Sequence, residues 1–244
     1  MPSPAKTPYD GRIALRPGAA MNTSSRTILI TGASGALGQA VVAGLGGHGT
    51  NLVLIDRELA AAPHGVLSLA ADLTSEADVA HAAGLAAKRF GRVDVFVHVA
   101  GGFEMGEPVH GLSRASWDRM MDINAWSFVN VAKHIVPLMR GEGGGRIVAV
   151  TAGAAAHGEA HKGAYVASKA ALQRLVEAMA AELRVDGFTV NSIAPTILDT
   201  PANRAAMPNA DRSRWIQLAD AAAAVAFLVS EAGRAVNGQH IVLG

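Results

Sequence analysis

The sequence predicts an α/β chain: one doubly wound parallel sheet of about seven strands with helices on both faces. Three observations lead there. Short, nearly continuous apolar runs alternate with longer stretches carrying apolar residues at helical spacing, the pattern of strands buried on both sides. The first run, Thr27-Ile-Leu-Ile30, passes directly into Thr31-Gly-Ala-Ser-Gly-Ala-Leu-Gly38 and then into an Ala/Val-rich helical segment. No internal repeat interrupts the alternation, and 244 residues suit a single domain with a substantial core.

The elements follow in order. Residues 1–25 hold Pro2, Pro4, Pro8 and Pro17 with several Ser, Thr and Gly, and show no apolar period. They read as a flexible extension, with Met21 a candidate start, and contain no run suited to a signal peptide or membrane span. The domain proper is 26–244. Residues 51–56 form a second strand and 66–70 a third. Thr74 or Ser75 caps a helix carrying Ala77, Val79, Ala80 and Ala83 that ends near Gly91. Residues 93–99 form a fourth strand, 117–140 a long helix and 146–150 a fifth strand. A helix over 163–184, a strand over 189–193, a substrate loop over about 196–218, a helix over 220–230 and a strand over 240–243 complete the chain. The apolar run 219–229 is interrupted by Asp220 and rich in alanine, which makes it a packed helix rather than a membrane anchor.

Composition narrows the function classes. Half the residues are hydrophobic and 17% charged, as in a globular protein. A net charge of +1 without a basic run argues against nucleic acid as a partner. With no cysteine, disulfides, thiolate catalysis and cysteine metal sites are excluded, and a cytoplasmic location is expected. Nine histidines are scattered. His157 and His161 lack a third ligand at suitable spacing, so no metal site is expected.

Ligands of such sheets bind beyond the carboxyl ends of the strands, and the chemistry-bearing residues fall there. In the first turn Gly32 permits a tight bend, Gly35 lets backbone approach an anion, and Gly38 lets the helix pack against the strand. The helix N-terminus offers free N–H groups to a dinucleotide pyrophosphate. Asp56 ends the second strand, where a carboxylate accepts hydrogen bonds from adenosine ribose hydroxyls and repels a 2′-phosphate. That favours NAD over NADP, although Arg57 could pair with a phosphate or stack on adenine. Asp72 follows the third strand and could contact adenine. Tyr165 and Lys169, four apart on one helix, face the same way. An ammonium beside a phenol is expected to draw the phenol pKa down from about 10 towards a useful value.

On these residues the chain resembles the short-chain dehydrogenase/reductase family over nearly all of 26–244. The matching residues are the glycine turn, Asp56, Asp72, Ala100-Gly101, Asn124, Tyr165-Val-Ala-Ser-Lys169, and Pro195 with Thr200. The resemblance implies a Rossmann-type sheet and NAD(P)-linked hydride transfer, with Tyr165 as proton donor or acceptor. Lys169 would bind the nicotinamide ribose, Asn124 would hold a relay water, and the Ile197 backbone with Thr200 would fix the carboxamide. Cofactor contacts are expected from Gly32, Ser34, Gly35, Ala36, Leu37, Gly38, Asp56, Arg57, Asp72, Leu73, Ala100, Gly101, Tyr165, Lys169, Pro195, Ile197 and Thr200.

Departures from the family pattern carry information. Gly35 stands one residue earlier than the usual middle glycine, with Ala36 in its place. The usual Asn-Asn-Ala-Gly is His98-Val-Ala-Gly101, which puts Val99 where a strand-tying asparagine is expected. The serine expected thirteen residues before the tyrosine is Ala152, while Thr151 should point to the opposite side. Losing an oxyanion donor weakens carbonyl reduction, unless the substrate does without it. The segments 35–38, 99–102, 151–154 and 198–204, with Met207-Pro208, Ala210-Asp211 and Trp215, are similar to the dihydropteridine reductase-like branch. That likeness implies an electron-poor, quinonoid small molecule as substrate, a simple ketone being the other option. A dinucleotide-sensing protein without turnover is the rival. Phe103, Met207 and Trp215 are candidate pocket walls. Surplus apolar residues on the helices 117–140 and 163–184 predict a homodimer or homotetramer.

Overall fold

The β-branched and apolar runs become seven strands: β1 (Arg26–Thr31), β2 (Thr50–Asp56), β3 (Val66–Ala70), β4 (Val95–His98), β5 (Arg146–Val150), β6 (Thr189–Pro195) and β7 (His240–Leu243). They belong to a computed structural model that describes residues 26–47, 49–59, 65–140 and 144–244. The expected extension over 1–25 lies outside the described residues. All pairings are parallel, in the order β3-β2-β1-β4-β5-β6-β7. The order reverses between β1 and β4, which opens a crevice beyond their carboxyl ends.

Helices cover both faces. On one side α2 (Glu76–Phe90), α4 (Ser127–Met139) and α5 (Gly163–Glu182) bury Val79, Phe128, Val131, Ile135, Leu172 and Val176 against Leu29, Phe96 and Ile147. On the other, α1 (Ala36–Leu45) and α7 (Leu218–Val229) bury Leu37, Val41, Ala221, Val225 and Leu228 against Ile30, Val97 and Ile193. A fully buried Phe128 or Leu172 contributes about 2 kcal/mol of hydrophobic stabilisation. The Ser75 hydroxyl caps α2 by accepting the Asp78 N–H at 3.3 Å, with Glu76 and Asp78 in the first turn and Lys88 and Arg89 in the last. These charges complement the helix dipole. Gly91, at φ 78°, ends the helix in a conformation that disfavours side chains.

The helix expected over 117–140 is different in form. It begins earlier, as α3 (Arg114–Met121), because Ser113 caps it by accepting the Ser116 N–H. It then widens into a π-type turn, Asp122–Trp126, before α4. The wide turn accommodates Asn124, whose amide leaves the helix to bind the chain after β4. A short helix the sequence reading did not anticipate, α6 (Pro201–Ala206), lies in the loop over 196–218. Among the described residues no helix is long and apolar enough to cross a membrane.

Candidate active site

The β1–α1 turn has no spare room. Gly32 sits at φ 68°, and a Cβ there would stand 2.6 Å from the Ala100 N. A Cβ on Gly38 would meet the Gly32 carbonyl at 2.0 Å. Both positions therefore require glycine. Gly35 is the N-cap of α1 and offers no capping side chain, so the first amides of the helix are left for an anion. Ala36 is tolerated because it is the first helical residue.

The Asp56 carboxylate closes this turn from the end of β2. Its Oδ2 accepts from the Ser34 N–H at 3.0 Å and from the Ser34 hydroxyl, and its Oδ1 accepts from the Arg57 N–H at 2.8 Å. Asp72 is held below the usual carboxylate range by the Thr74 N–H and hydroxyl, both donating to Oδ1. The carboxylate at each strand end is thus fixed by local donors.

Across the crevice, the Asn124 side chain is wholly buried and fully used. Its Oδ1 accepts from the Gly102 N–H, and its Nδ2 donates to the Gly102 carbonyl and to the Ser168 hydroxyl, each at 3.0 Å. The π-type turn is thereby locked to the strand-end loop and to α5. Lys169 is also buried, and its Nζ donates to the Val150 carbonyl at 3.0 Å. Burial pushes its pKa down to about 8. Gly101 lies between the two, close enough to exclude a side chain.

Beneath this layer sits a residue whose part was not read from the sequence. His98 is completely buried, with Nδ1 2.9 Å from the Thr31 hydroxyl and Nε2 3.3 Å from the Ser127 hydroxyl. Its ring packs edge-on against Phe96 and Phe128. Burial, and secondarily the Lys169 charge, hold its pKa down to about 3. A neutral imidazole here connects β1, β4 and α4. The tie expected at residue 99 is therefore made by its neighbour, while Val99 lines the crevice.

Tyr165 lies in the first turn of α5, edge-on to Phe103 with ring centroids 4.8 Å apart. The lowering of its pKa expected from Lys169 is not seen. Burial, with a further push from the Glu159 charge, raises the phenol to about 12. Lys169 is not among the causes of that shift, and its ammonium donates to the Val150 carbonyl. Among the described residues no group hydrogen-bonds the Tyr165 hydroxyl.

These parts surround one cleft of about 1160 Å³. Of the residues expected on the cofactor, Gly32, Ser34, Gly35, Ala36, Leu37, Gly38, Asp56, Arg57, Asp72, Leu73, Ala100, Gly101, Tyr165, Lys169 and Thr200 line it. Pro195 is buried at the end of β6, and the Ile197 carbonyl accepts from the Ile216 N–H at 2.8 Å, closing the base of the 196–218 loop; neither lines the cleft. The Thr200 hydroxyl caps α6 by accepting the Asn203 N–H at 3.1 Å. Asp199 pairs with Arg204 and accepts from Gln217, and the Arg204 hydrogen bond above all lowers its pKa to about 2.

Phe103 lines the cleft, whereas Met207 and Trp215 do not; Trp215 is buried with the Arg212 guanidinium over its ring. Ala152 is buried and brings no donor, and the Thr151 hydroxyl is committed to the Ile193 carbonyl at 3.0 Å. The His161 ring lies 3.1 Å from the Gly106 carbonyl, and among the described residues no cluster of three or more His, Cys, Asp or Glu could hold a metal ion. Arg119, Asp122, Ile123 and Ser127 also line the cleft and were missed. Their one sequence signal is helical spacing about Asn124.

The comparisons agree with this architecture. A family model described as short chain dehydrogenase matches residues 26–211. The chain is 32% identical to the cis-4-hydroxycyclohexanecarboxylate dehydrogenase of Sinomonas cyclohexanicum, over 88% of this chain and 93% of that one. A short-chain type dehydrogenase/reductase from Mycobacterium ulcerans superposes with a TM-score of 0.83 at 29% identity, covering 90% of this chain and 88% of that one. The 3-ketoacyl-(acyl-carrier-protein) reductase of Brucella melitensis, complexed with NADH, gives a TM-score of 0.81 at 25% identity, covering 91% and 97%.

Proposed function

The chain belongs to the short chain dehydrogenase family, and we propose that it is an NADH-preferring oxidoreductase that reduces a small conjugated or carbonyl compound with Tyr165 as its acid. The observation that carries this reading is that Tyr165 and buried Lys169 line the cleft that begins at the glycine turn, with buried Asn124 behind it holding the Gly102 backbone. The glycine turn fits a dinucleotide, since Gly32 and Gly38 hold strand and helix in contact and leave the α1 amides open. The Asp56 carboxylate at the rim suits two ribose hydroxyls and opposes a 2′-phosphate.

Bound NADH supplies a hydride. The chain's residues do the rest. The α1 N-terminus would take the pyrophosphate, Asp56 the adenosine ribose, Lys169 the nicotinamide ribose and Thr200 the carboxamide, whereas Ile197, outside the cleft, has no part in it. Tyr165 Oη gives its proton to the substrate atom that gains charge as hydride arrives. Asn124, its side chain committed to Gly102 and Ser168, holds the relay water through its main chain. A phenol raised to about 12 is fully protonated at neutral pH, the state an acid needs in the reductive direction.

Ala152 bears on the substrate. Without an oxyanion donor at that position, a simple ketone is activated poorly, whereas a quinonoid, dihydropteridine-like ring accepts hydride with less help. The same alanine is what favours the second reading, a dinucleotide sensor without turnover. The protein works as a cytoplasmic homodimer or homotetramer, with α4 and α5 pairing across a two-fold axis. Mixing it with NADH and a quinonoid dihydropterin, then with ketones and quinones, separates the readings. NADH oxidation with the pterin and weakly with ketones is the expected result. Tight NADH binding without turnover on any of them would establish the sensor instead. Light scattering tests assembly, a 25 kDa species at micromolar concentration excluding it.

A further inference from the structure

The π-type turn between α3 and α4 is held by a side chain at its far end. In a regular helix the Ser127 N–H would bond the carbonyl four residues back, that of Ile123; here it reaches past it to the Asp122 carbonyl. The Ser127 hydroxyl makes up the difference and donates to the Ile123 carbonyl at 2.7 Å. Asp122, Ile123 and Ser127 all line the cleft, and Asn124 lies inside the same turn.

The Ser127 hydroxyl has a single proton, and the Ile123 carbonyl takes it. Towards His98 Nε2, 3.3 Å away, the Ser127 oxygen therefore accepts. A wholly buried, neutral imidazole carries one ring proton, which must then sit on Nε2, while Nδ1 accepts from the Thr31 hydroxyl at 2.9 Å. The rings of Phe96 and Phe128, edge-on with centroids 5.8 and 5.5 Å away, hold the imidazole plane. A directed chain of hydrogen bonds results, from Thr31 of β1 through His98 of β4 and Ser127 of α4 to the Ile123 carbonyl in the turn.

We propose that His98 and Ser127 are positioning residues for Asn124: His98 Nε2–H orients the Ser127 hydroxyl, and that hydroxyl holds the wide turn and so the place of the Asn124 main chain. The catalytic half of this rests on the reading that the Asn124 main chain holds a relay water. The Asn124 side chain does not suffice for the task. It ties the middle of the turn to Gly102 and Ser168, whereas Ser127 sets the end at which α4 begins. Neither His98 nor Ser127 passes a proton to the substrate, since the hydrogen of each is committed within the chain.

Nitrogen-15 NMR of the full chain reads the tautomer. Nine histidines contribute, and loss of one signal in His98→Asn, or its shift in Ser127→Ala should the first variant not fold, identifies His98. The expected result is a proton on Nε2 and none on Nδ1. In Ser127→Ala the main-chain resonances of Ile123 and Asn124 should move. In NADH-dependent reduction of a quinonoid dihydropterin its kcat should fall by about tenfold, with KM for NADH within about twofold of the parent. Ser127→Thr keeps the hydroxyl and should recover most of kcat. His98→Asn should lower kcat in the same way, and the double variant should lose no more than Ser127→Ala alone, because both changes act on one bond. A purely structural role would lower the thermal stability of each variant and leave the kcat of the folded protein unmoved. That result, or a proton on Nδ1 in the parent, or unmoved resonances in Ser127→Ala, would overturn the proposal. Absence of turnover in the parent, with the tautomer and the resonance shifts as expected, would instead remove the proposed activity and leave the positioning of the turn standing.

Discussion

The Lys169 ammonium and the backbone of Gly101 approach so closely that a Cβ on Gly101 would stand 2.8 Å from Nζ and 2.7 Å from Asn124 Oδ1. A glycine hydrogen is all that fits between two side chains the site depends on. Gly101→Ala should therefore displace Lys169 or Asn124, lower turnover by at least about tenfold and destabilise the fold by about 1–3 kcal/mol. Steady-state kinetics and thermal unfolding of the variant check both halves.

Tyr165→Phe keeps the ring against Phe103 and removes the proton. NADH affinity should change by less than about twofold while turnover falls by about a hundredfold or more. Fluorescence titration and single-turnover kinetics measure the two separately. A loss below about tenfold would mean that the proton has another source.

Asp56 should decide between the cofactors. Asp56→Ser removes the carboxylate that opposes a 2′-phosphate and frees Arg57 to meet one, so the ratio of NADPH to NADH affinity should rise by about tenfold or more. The same change removes the bonds that Asp56 makes to the Ser34 and Arg57 amides, so NADH affinity should fall too. Equal affinities in the unmodified protein would sink the assignment.

His98 makes stability depend on pH in a definite direction. Its folded pKa, about 3, lies below the ordinary 6.5, so the unfolded chain binds the proton more readily. The stability associated with neutral His98 is fully present above pH 6.5 and is lost as pH falls towards 3, at up to about 1.4 kcal/mol per pH unit. Asp72 and Asp199, both with lowered pKa values, act in the same sense at lower pH. His98→Asn should flatten the slope between about pH 6 and 4 without touching the carboxylate contribution. Denaturant unfolding at several pH values compares the two proteins.

Ala152→Ser restores the hydroxyl usual at its position in the family. Ketone reduction should improve by about tenfold or more, with little change for a quinonoid substrate. A comparable gain on both, measured as kcat/KM, would show that the alanine is not an adaptation to a conjugated ring.

Much of this protein could be read along the chain because the determinants are local. Gly32 must accept a positive φ, apolar runs such as 146–150 are strands because they are buried on both faces, and Tyr165 and Lys169 share a face because four residues make about one helical turn. Sheet order and the cleft follow from those elements and the handedness of their crossovers.

Tertiary structure decided the rest, where the partners are remote in sequence. His98 meets Thr31 across 67 positions and Ser127 across 29, and Asn124 meets Ser168 across 44. No local period reports such pairs, so the buried imidazole and the π-type turn were invisible beforehand. The direction of the Tyr165 shift was lost for the same reason. Spacing on a helix says that Lys169 shares a face with the phenol, but burial first and the Glu159 charge second raise the phenol pKa. Periodicity records which face a residue takes, whereas desolvation and charge are sums over everything that folding brings around it.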